Sequence, residues 1–223
     1  EKIEEGRTVL YDENNNEIPV EKLNNDTENI NKKLPQKYDL RDYGRVSKVK
    51  NQGSEGYCWA FASVASMESS ILSQNDLKNK LGENPQDTID LSEAGQTWYI
   101  HSGIVDKSSP FYGDYINDSS KGSNGGTSDT LAISLNSGFG TYPQSLCPYN
   151  EVKKGFSETL RYYSDYRLKD YSEISNNKDT LKSKIASNGA VTVYYPSITD
   201  CYSSDYANYY SDNTCLGIGD SHL

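Results

Sequence analysis

The chain has 223 residues, 34% of them hydrophobic, enough for one large domain or two small ones with a core that needs no disulfide to hold it. A formal charge of -10 and a pI near 4.7 argue against nucleic acid or an anionic membrane surface as partner, since both call for Lys and Arg clusters that release counterions. No apolar run of roughly 18 residues and no basic-then-apolar leader occurs, so no transmembrane segment is expected, and any export signal is expected to have been removed or to lie outside this sequence.

Residues 1–33 are rich in Asn, Glu and Lys, with Tyr11 their one aromatic. Thr8–Tyr11 and Ile18–Val20 flank a polar run and read as two short strands around a turn. This part is expected to be an N-terminal arm or the remnant of a pro-segment, ending near Leu34-Pro35, with a second unit over 34–223. From Cys58 to Leu72 apolar residues fall on nearly every side, which predicts a buried helix rather than one packed on a single face. Gly53 and Gly56 precede it and predict a tight loop that delivers Cys58 to the helix N-terminus. A second helix is expected from Asp90, with Glu93 completing a capping box, through Trp98. Residues 107–126 read as a loop, 130–136 as a short helix stopped by Gly138, and 178–187 as another stopped by Gly189. Ala190–Tyr195 has the β-branched and aromatic pattern of a strand. Helices early and strands late predict an α+β fold with segregated halves.

The four cysteines are Cys58, Cys147, Cys201 and Cys215, with no Cys-x-x-Cys pair and two histidines, so neither a structural zinc site nor any cofactor is expected. Cys201 and Cys215 bracket a turn-rich segment suited to a local disulfide, although four cysteines allow three full pairings and the sequence does not choose among them. Nineteen tyrosines offer apolar rings with hydroxyl handles for a core edge or a cleft wall.

A thiol at a helix start is ordinarily a small buried hydrophobe. It becomes a nucleophile when the helix dipole, unpaired N–H groups and a nearby histidine favour the thiolate. Acyl transfer then also needs donors for an oxyanion. The Cys58 N–H and the side-chain amide of Gln52, six residues upstream across the glycine-rich loop, are the candidates.

The pattern Leu34-Pro35, Asp39-Leu40-Arg41, Gly44, Val46, Val49, Asn51-Gln52-Gly53, Gly56, Cys58-Trp59-Ala60-Phe61 and Glu68 resembles the start of mature papain and cathepsin-type cysteine peptidases. Leu91-Ser92-Glu93 resembles that family's second helix. Gly122-Ser123-Asn124-Gly125-Gly126 resembles its Gly-Cys-Asn-Gly-Gly loop, Cys147-Pro148-Tyr149 its Tyr-Pro-Tyr, and Gly189–Val193 its Gly-Pro-Val-Ser-Val strand. The resemblance runs from Leu34 to the end, strong at first and thin after Tyr149.

The resemblance implies a papain-like two-lobed fold, a helical lobe plus a β-barrel-like lobe. It implies Cys58 as nucleophile and Gln52 as oxyanion donor, and places Gly125 and Gly126 on a wall that holds the substrate backbone by strand-like hydrogen bonds. A wall without side chains lets a peptide approach closely. Tyr194 falls near a position lining the pocket for the residue before the scissile bond; ordinary core or cleft wall is the alternative. The base must be a histidine. His222 lies 222 − 58 = 164 residues after the cysteine, beyond the roughly 130–150 expected, an excess that an insertion at 107–121 would absorb. Gly219-Asp220-Ser221-His222-Leu223 resembles the family's strand start at its histidine, whereas His101 stands where the family has no catalytic residue.

The sequence departs from the family in two places. Glu55 and Ser123 stand where the family carries a disulfide-bonded pair of cysteines, so that bridge is missing. A carboxylate at Glu55 pointing inward would hinder thiolate formation and repel acidic substrates; it is expected to face solvent. The family's Asn-Ser-Trp-Gly motif, which orients the histidine, does not occur before Leu223, so a fragment of a longer protein, or a second chain, is expected. The function implied is cysteine endopeptidase on peptide or protein substrates, of a bacterial exported or cell-surface kind by composition. The alternatives are a papain-like module that binds peptides or cell wall without cutting, and a zymogen whose residues 1–33 lie intramolecularly in the cleft.

Overall fold

The first α-helix among the described residues, α1, spans Cys58–Ser73 and has Glu68 as its one charged residue and no Gly or Pro. With so little to present to water, it sits at the centre of the molecule. Trp59, Ala60, Val64, Ile71 and Leu72 are buried along it, and small Ser63 and Ser69 let neighbouring chain approach. The computed structural model describes residues 2–4, 7–9, 34–109, 112–113, 122–136, 139–197, 202–203, 208–209 and 220–222.

Around α1 pack the short helix α2 (Asn75–Lys78) and α4 (Glu93–Ile100), α5 (Ser128–Asn136) and α6 (Lys178–Asn188), while the short α3 (Pro85–Thr88) lies against the turn Asn79–Leu81. One core joins Trp59, Val64, Leu72, Ile89, Leu91, Ile100, Leu131 and Leu135, so α1, α4 and α5 share a single apolar interior. Burying side chains of this kind stabilises by about 1.5–3 kcal/mol each before conformational entropy is counted.

Helix α4 begins later than the Asp90 capping box predicts. Its N-cap is Ser92, whose Oγ accepts from Gly95 N at 2.8 Å and donates to Cys147 O at 2.5 Å. Glu93 does not reach back to Asp90, because the Lys50 ammonium draws both carboxylates to itself, at 3.0 Å each. The helix also runs two residues past Trp98. Beyond its C-terminus, buried Arg161 donates to Tyr99 O at 2.9 Å and to Ser102 O and Gly103 O at 3.0 Å, supplying the last carbonyls with a cation.

Helix α6 starts on Asn177, whose Oδ1 accepts from Asp179 N at 3.0 Å and Thr180 N at 3.1 Å. It stops at Gly189, where φ is +109° and an added Cβ would lie 2.7 Å from Ser69 Oγ. The next residues correct the expected strand Ala190–Tyr195. Residues 190–194 form no ladder; instead Ser66 Oγ donates to Ala190 O at 2.7 Å and Ala190 N donates to Ser69 Oγ at 2.8 Å. Two α1 hydroxyls take the backbone groups that strand pairing would have used.

The strand of this region, β3, is Tyr195–Ser197. It pairs antiparallel with β6 (Asp220–His222), Tyr195 opposite His222 and Ser197 opposite Asp220. Between them β4 (Tyr202–Ser203) pairs with β5 (Asn208–Tyr209). At the start of the chain β1 (Lys2–Glu4) pairs with β2 (Arg7–Val9). Thr8 and Val9 are thus in a strand as predicted, but their partner is Lys2–Glu4; Ile18–Val20, Gly138, Cys201 and Cys215 lie outside the described residues. Among the described residues helix predominates, and no helix is long and apolar enough to cross a membrane.

Candidate active site

The loop before α1 is built by backbone geometry. Gly53 turns at φ +67° and its N–H donates to Asn51 Oδ1 at 2.8 Å. Gln52 Nε2 donates to Glu55 O at 2.9 Å, so the amide is held over the loop rather than free to swing. From across the site Tyr149 donates its hydroxyl to Gln52 O at 2.7 Å, while its ring meets Tyr57 and Phe61 edge-on. The loop ends at Cys58, a free, half-buried thiol and the first residue of α1.

Gly56 N donates to Ser123 O at 2.8 Å, and Gly56 and Asn124 form an isolated parallel bridge. A Cβ on Gly56 would stand 2.4 Å from Ser123 O, so glycine is required for the approach. This bridge joins the two stretches that carry Glu55 and Ser123. Glu55 does not point at the thiol's helix end unpaired: Lys153 Nζ lies 2.6 Å from its Oε1 at the surface.

The glycine wall follows from Trp59, which is fully buried. Its Nε1 donates to Gly122 O at 3.1 Å, and a Cβ on Gly126 would fall 2.6–2.8 Å from the indole. Gly125 faces open space at φ +112°, a backbone that favours glycine whatever the room. His101 packs edge-on to Trp59 with ring centroids 5.8 Å apart, is buried, and has Nδ1 2.8 Å from Thr97 O; it belongs to the helical core. His222 lies on β6 opposite Tyr195, adjoining Tyr194. Tyr194 is half exposed and its hydroxyl lies 3.4 Å from Gly126 O. Its hydroxyl pKa is raised by burial first, and then by the charges of Asp129 and Cys58.

Below the loop, Lys50 Nζ lies 2.9 Å from Glu68 Oε1 and 3.0 Å from both Asp90 Oδ1 and Glu93 Oε1, and donates to Leu91 O at 2.6 Å. Glu68 also accepts from Leu91 N at 2.7 Å and Ser47 Oγ at 2.5 Å. Burial pushes Glu93 up to about 7 despite the pull of Lys50. A cavity of about 370 Å³ opens beside Lys50, Glu93, Gln144 and Tyr149; Cys58 is not among its lining residues. Among the described residues no group of three His, Cys, Asp or Glu is placed to hold a metal ion.

The residue pattern singles out Cys58, Gln52, Gly125 and Gly126, and the Gly56–Asn124 bridge brings their two loops together. The parts it misses are Tyr149 as the anchor of the Gln52 loop and the Lys50 cluster, whose members are up to 43 positions apart. Each contact joins segments far apart in the chain and exists only once the fold has packed.

A half-buried thiol heading a buried helix, beside an amide-bearing loop and a bare backbone wall, is an arrangement chemically suited to a nucleophile. The profile named Papain family cysteine protease matches residues 34–220, so the chain belongs to the papain family of cysteine proteases. It is similar to macrodontain-1 of Ananas macrodontes, 60% identical over 35 residues that cover 16% of each chain. It is 35% identical over 78 residues to the oryzain beta chain of Oryza sativa subsp. japonica, covering 35% of this chain and 16% of that one. Stem bromelain of Ananas comosus is 42% identical over 60 residues, 27% of each. The matched stretches thus span well under half of these relatives. Among solved structures, the cysteine protease and lectin-like domains of Cwp84, a surface layer associated protein of Clostridium difficile, superpose with a TM-score of 0.58 at 19% identity, over 96% of this chain and 47% of that one. The fold is therefore papain-like.

Proposed function

We propose that this chain is a cysteine endopeptidase acting through a Cys58–His222 pair. The observation that carries the reading is the free, half-buried Cys58 thiol at the head of α1 with the Gln52 amide held in the adjoining loop. Family membership supports the same reaction.

His222 takes the proton from Cys58 Sγ, and the thiolate attacks a peptide carbonyl carbon, forming a C–S bond. The carbonyl oxygen becomes an oxyanion that accepts from the Cys58 N–H and Gln52 Nε2. The Gln52 amide carries two N–H groups, so the one not engaged by Glu55 O is available to the oxyanion. His222 then gives its proton to the leaving amine as the C–N bond breaks. Water, deprotonated by His222, hydrolyses the thioester and restores the thiol. Gly125 and Gly126 pair with the peptide backbone and Tyr194 borders its side chains.

In this reading the helical part is one lobe of a two-lobed molecule and the strand-bearing part the other, with the peptide between them. Residues 1–33 are an arm able to occupy the cleft before activation, and residues 34–223 are the peptidase domain. An exported or cell-surface location agrees with the description of Cwp84 as surface layer associated. The test is hydrolysis of unfolded protein by the chain with and without residues 1–33. Cleavage lost in Cys58→Ser and His222→Ala, and raised by removing the arm, is expected; cleavage that survives Cys58→Ser would refute the mechanism.

A further inference from the structure

Beyond Gly126 the wall runs into α5, and its first turn carries the exposed Asp129. The hydroxyl of Tyr171 donates to Asp129 Oδ1, although the two positions are 42 apart in sequence. Tyr171 is 44% exposed and Tyr194 56% exposed, which leaves two phenol rings open to whatever enters beside the glycine wall. Tyr194 reaches Gly126 O at 3.4 Å, a long contact that a peptide N–H would replace.

We propose that Asp129, framed by Tyr171 and Tyr194, is a specificity-determining site that selects a lysine or arginine side chain of the bound peptide. The inference rests on the reading of the Cys58–Gly126 cleft as a peptide-binding cleft and adds its substrate class. A strand laid along Gly125 and Gly126 sends alternate side chains to either side, and one side leads to the first turn of α5. The carboxylate there supplies the charge, and the aromatic faces receive a cation while covering its aliphatic stem. Both phenols stay neutral at ordinary pH. The hydrogen bond to Asp129 pushes Tyr171 up to about 12, and Tyr194 is raised by burial and then by the charges of Asp129 and Cys58. The phenols thus add no charge of their own beside the Asp129 carboxylate. Two tyrosines without it would select an apolar side chain; with it, arginine gains over an uncharged side chain of equal shape.

The test separates binding from chemistry. The full chain carrying Cys58→Ala is titrated with acetylated pentapeptide amides in which arginine replaces citrulline at one position at a time. At one position arginine should bind roughly 5–10-fold tighter, the range of a single partly exposed ion pair reinforced by aromatic contact. Adding Asp129→Asn should cut that ratio to about 1–2-fold, and 1 M NaCl should shrink it as well. Asn keeps an acceptor for Tyr171, so the hydrogen bond between the two positions can be retained. Asp129→Glu, which keeps the charge, should keep the preference. Peptides that bind with no arginine preference, or with one unchanged in Asp129→Asn, overturn this inference and leave the peptidase reading standing. Peptides that bind neither the full chain nor the chain lacking residues 1–33 overturn the cleft reading and this inference together.

Discussion

The Tyr149 hydroxyl donates to the Gln52 carbonyl at 2.7 Å and so fixes the loop that carries the Gln52 amide from a segment 97 residues away. Two aromatic contacts, to Tyr57 and Phe61, hold the Tyr149 ring where it can do this. The family resemblance at Cys147-Pro148-Tyr149 marks the residue but not the role.

Tyr149→Phe keeps the ring and loses the hydrogen bond. A hydrogen bond of this kind contributes about 1 kcal/mol. With a looser Gln52, kcat should fall roughly 5-fold while KM changes little, since the donor is needed most in the transition state. Steady-state kinetics on one peptide substrate reads both. A rise in KM alone would mean that Tyr149 shapes substrate binding instead.

Gly56→Ala should destabilise the chain by about 2–3 kcal/mol, because the added methyl would sit 2.4 Å from Ser123 O and break the Gly56–Ser123 hydrogen bond. Urea unfolding followed by tryptophan fluorescence measures it, as Trp59 lies directly behind the bridged loop. Where the family closes this region with a disulfide, this chain relies on backbone pairing, so stability of the bridge should not respond to reductant.

Glu93 gives a pH signature. Its folded-state value near 7 lies above the ordinary 4.5, with burial as the largest cause. The folded protein thus holds the Glu93 proton more tightly than the unfolded chain does. Stability from this group is full below about pH 4.5 and is lost as pH rises toward 7, by up to about 3 kcal/mol. Glu93→Gln should remove that loss, so its stability relative to wild type should rise across this window. Denaturant melts at pH 4.5, 6 and 7.5 check the slope, and a difference that falls with pH would contradict the sign.

Much of the site was legible because it is local. The stretch from Asn51 to Phe61 carries the turn glycines, the amide, the thiol and the helix that orders them, all within one short run. What escaped sequence reading is set by distant partners. Ala190–Tyr195 has the composition of a strand, yet the α1 hydroxyls of Ser66 and Ser69 claim its first backbone groups. Asp90 looks like a cap, yet Lys50 engages it together with Glu93 and leaves Ser92 to start the helix. In both cases polar side chains from elsewhere in the fold outweighed a local preference.

The two described thiols should differ sharply in reactivity. Cys147 is fully buried beside Tyr99 and Tyr142, and burial pushes it up to about 11. It should resist iodoacetamide at pH 8 until the protein is unfolded, while Cys58 reacts in the native state. Peptide mapping after a short pulse distinguishes them.

The most direct test of the central claim is mass-spectrometric labelling with an epoxysuccinyl inhibitor under reducing conditions, with residues 1–33 removed. One adduct is expected, located on Cys58, absent in Cys58→Ser and strongly slowed in His222→Ala. A wild-type chain left unmodified at Cys58, or labelled equally fast without His222, would contradict it.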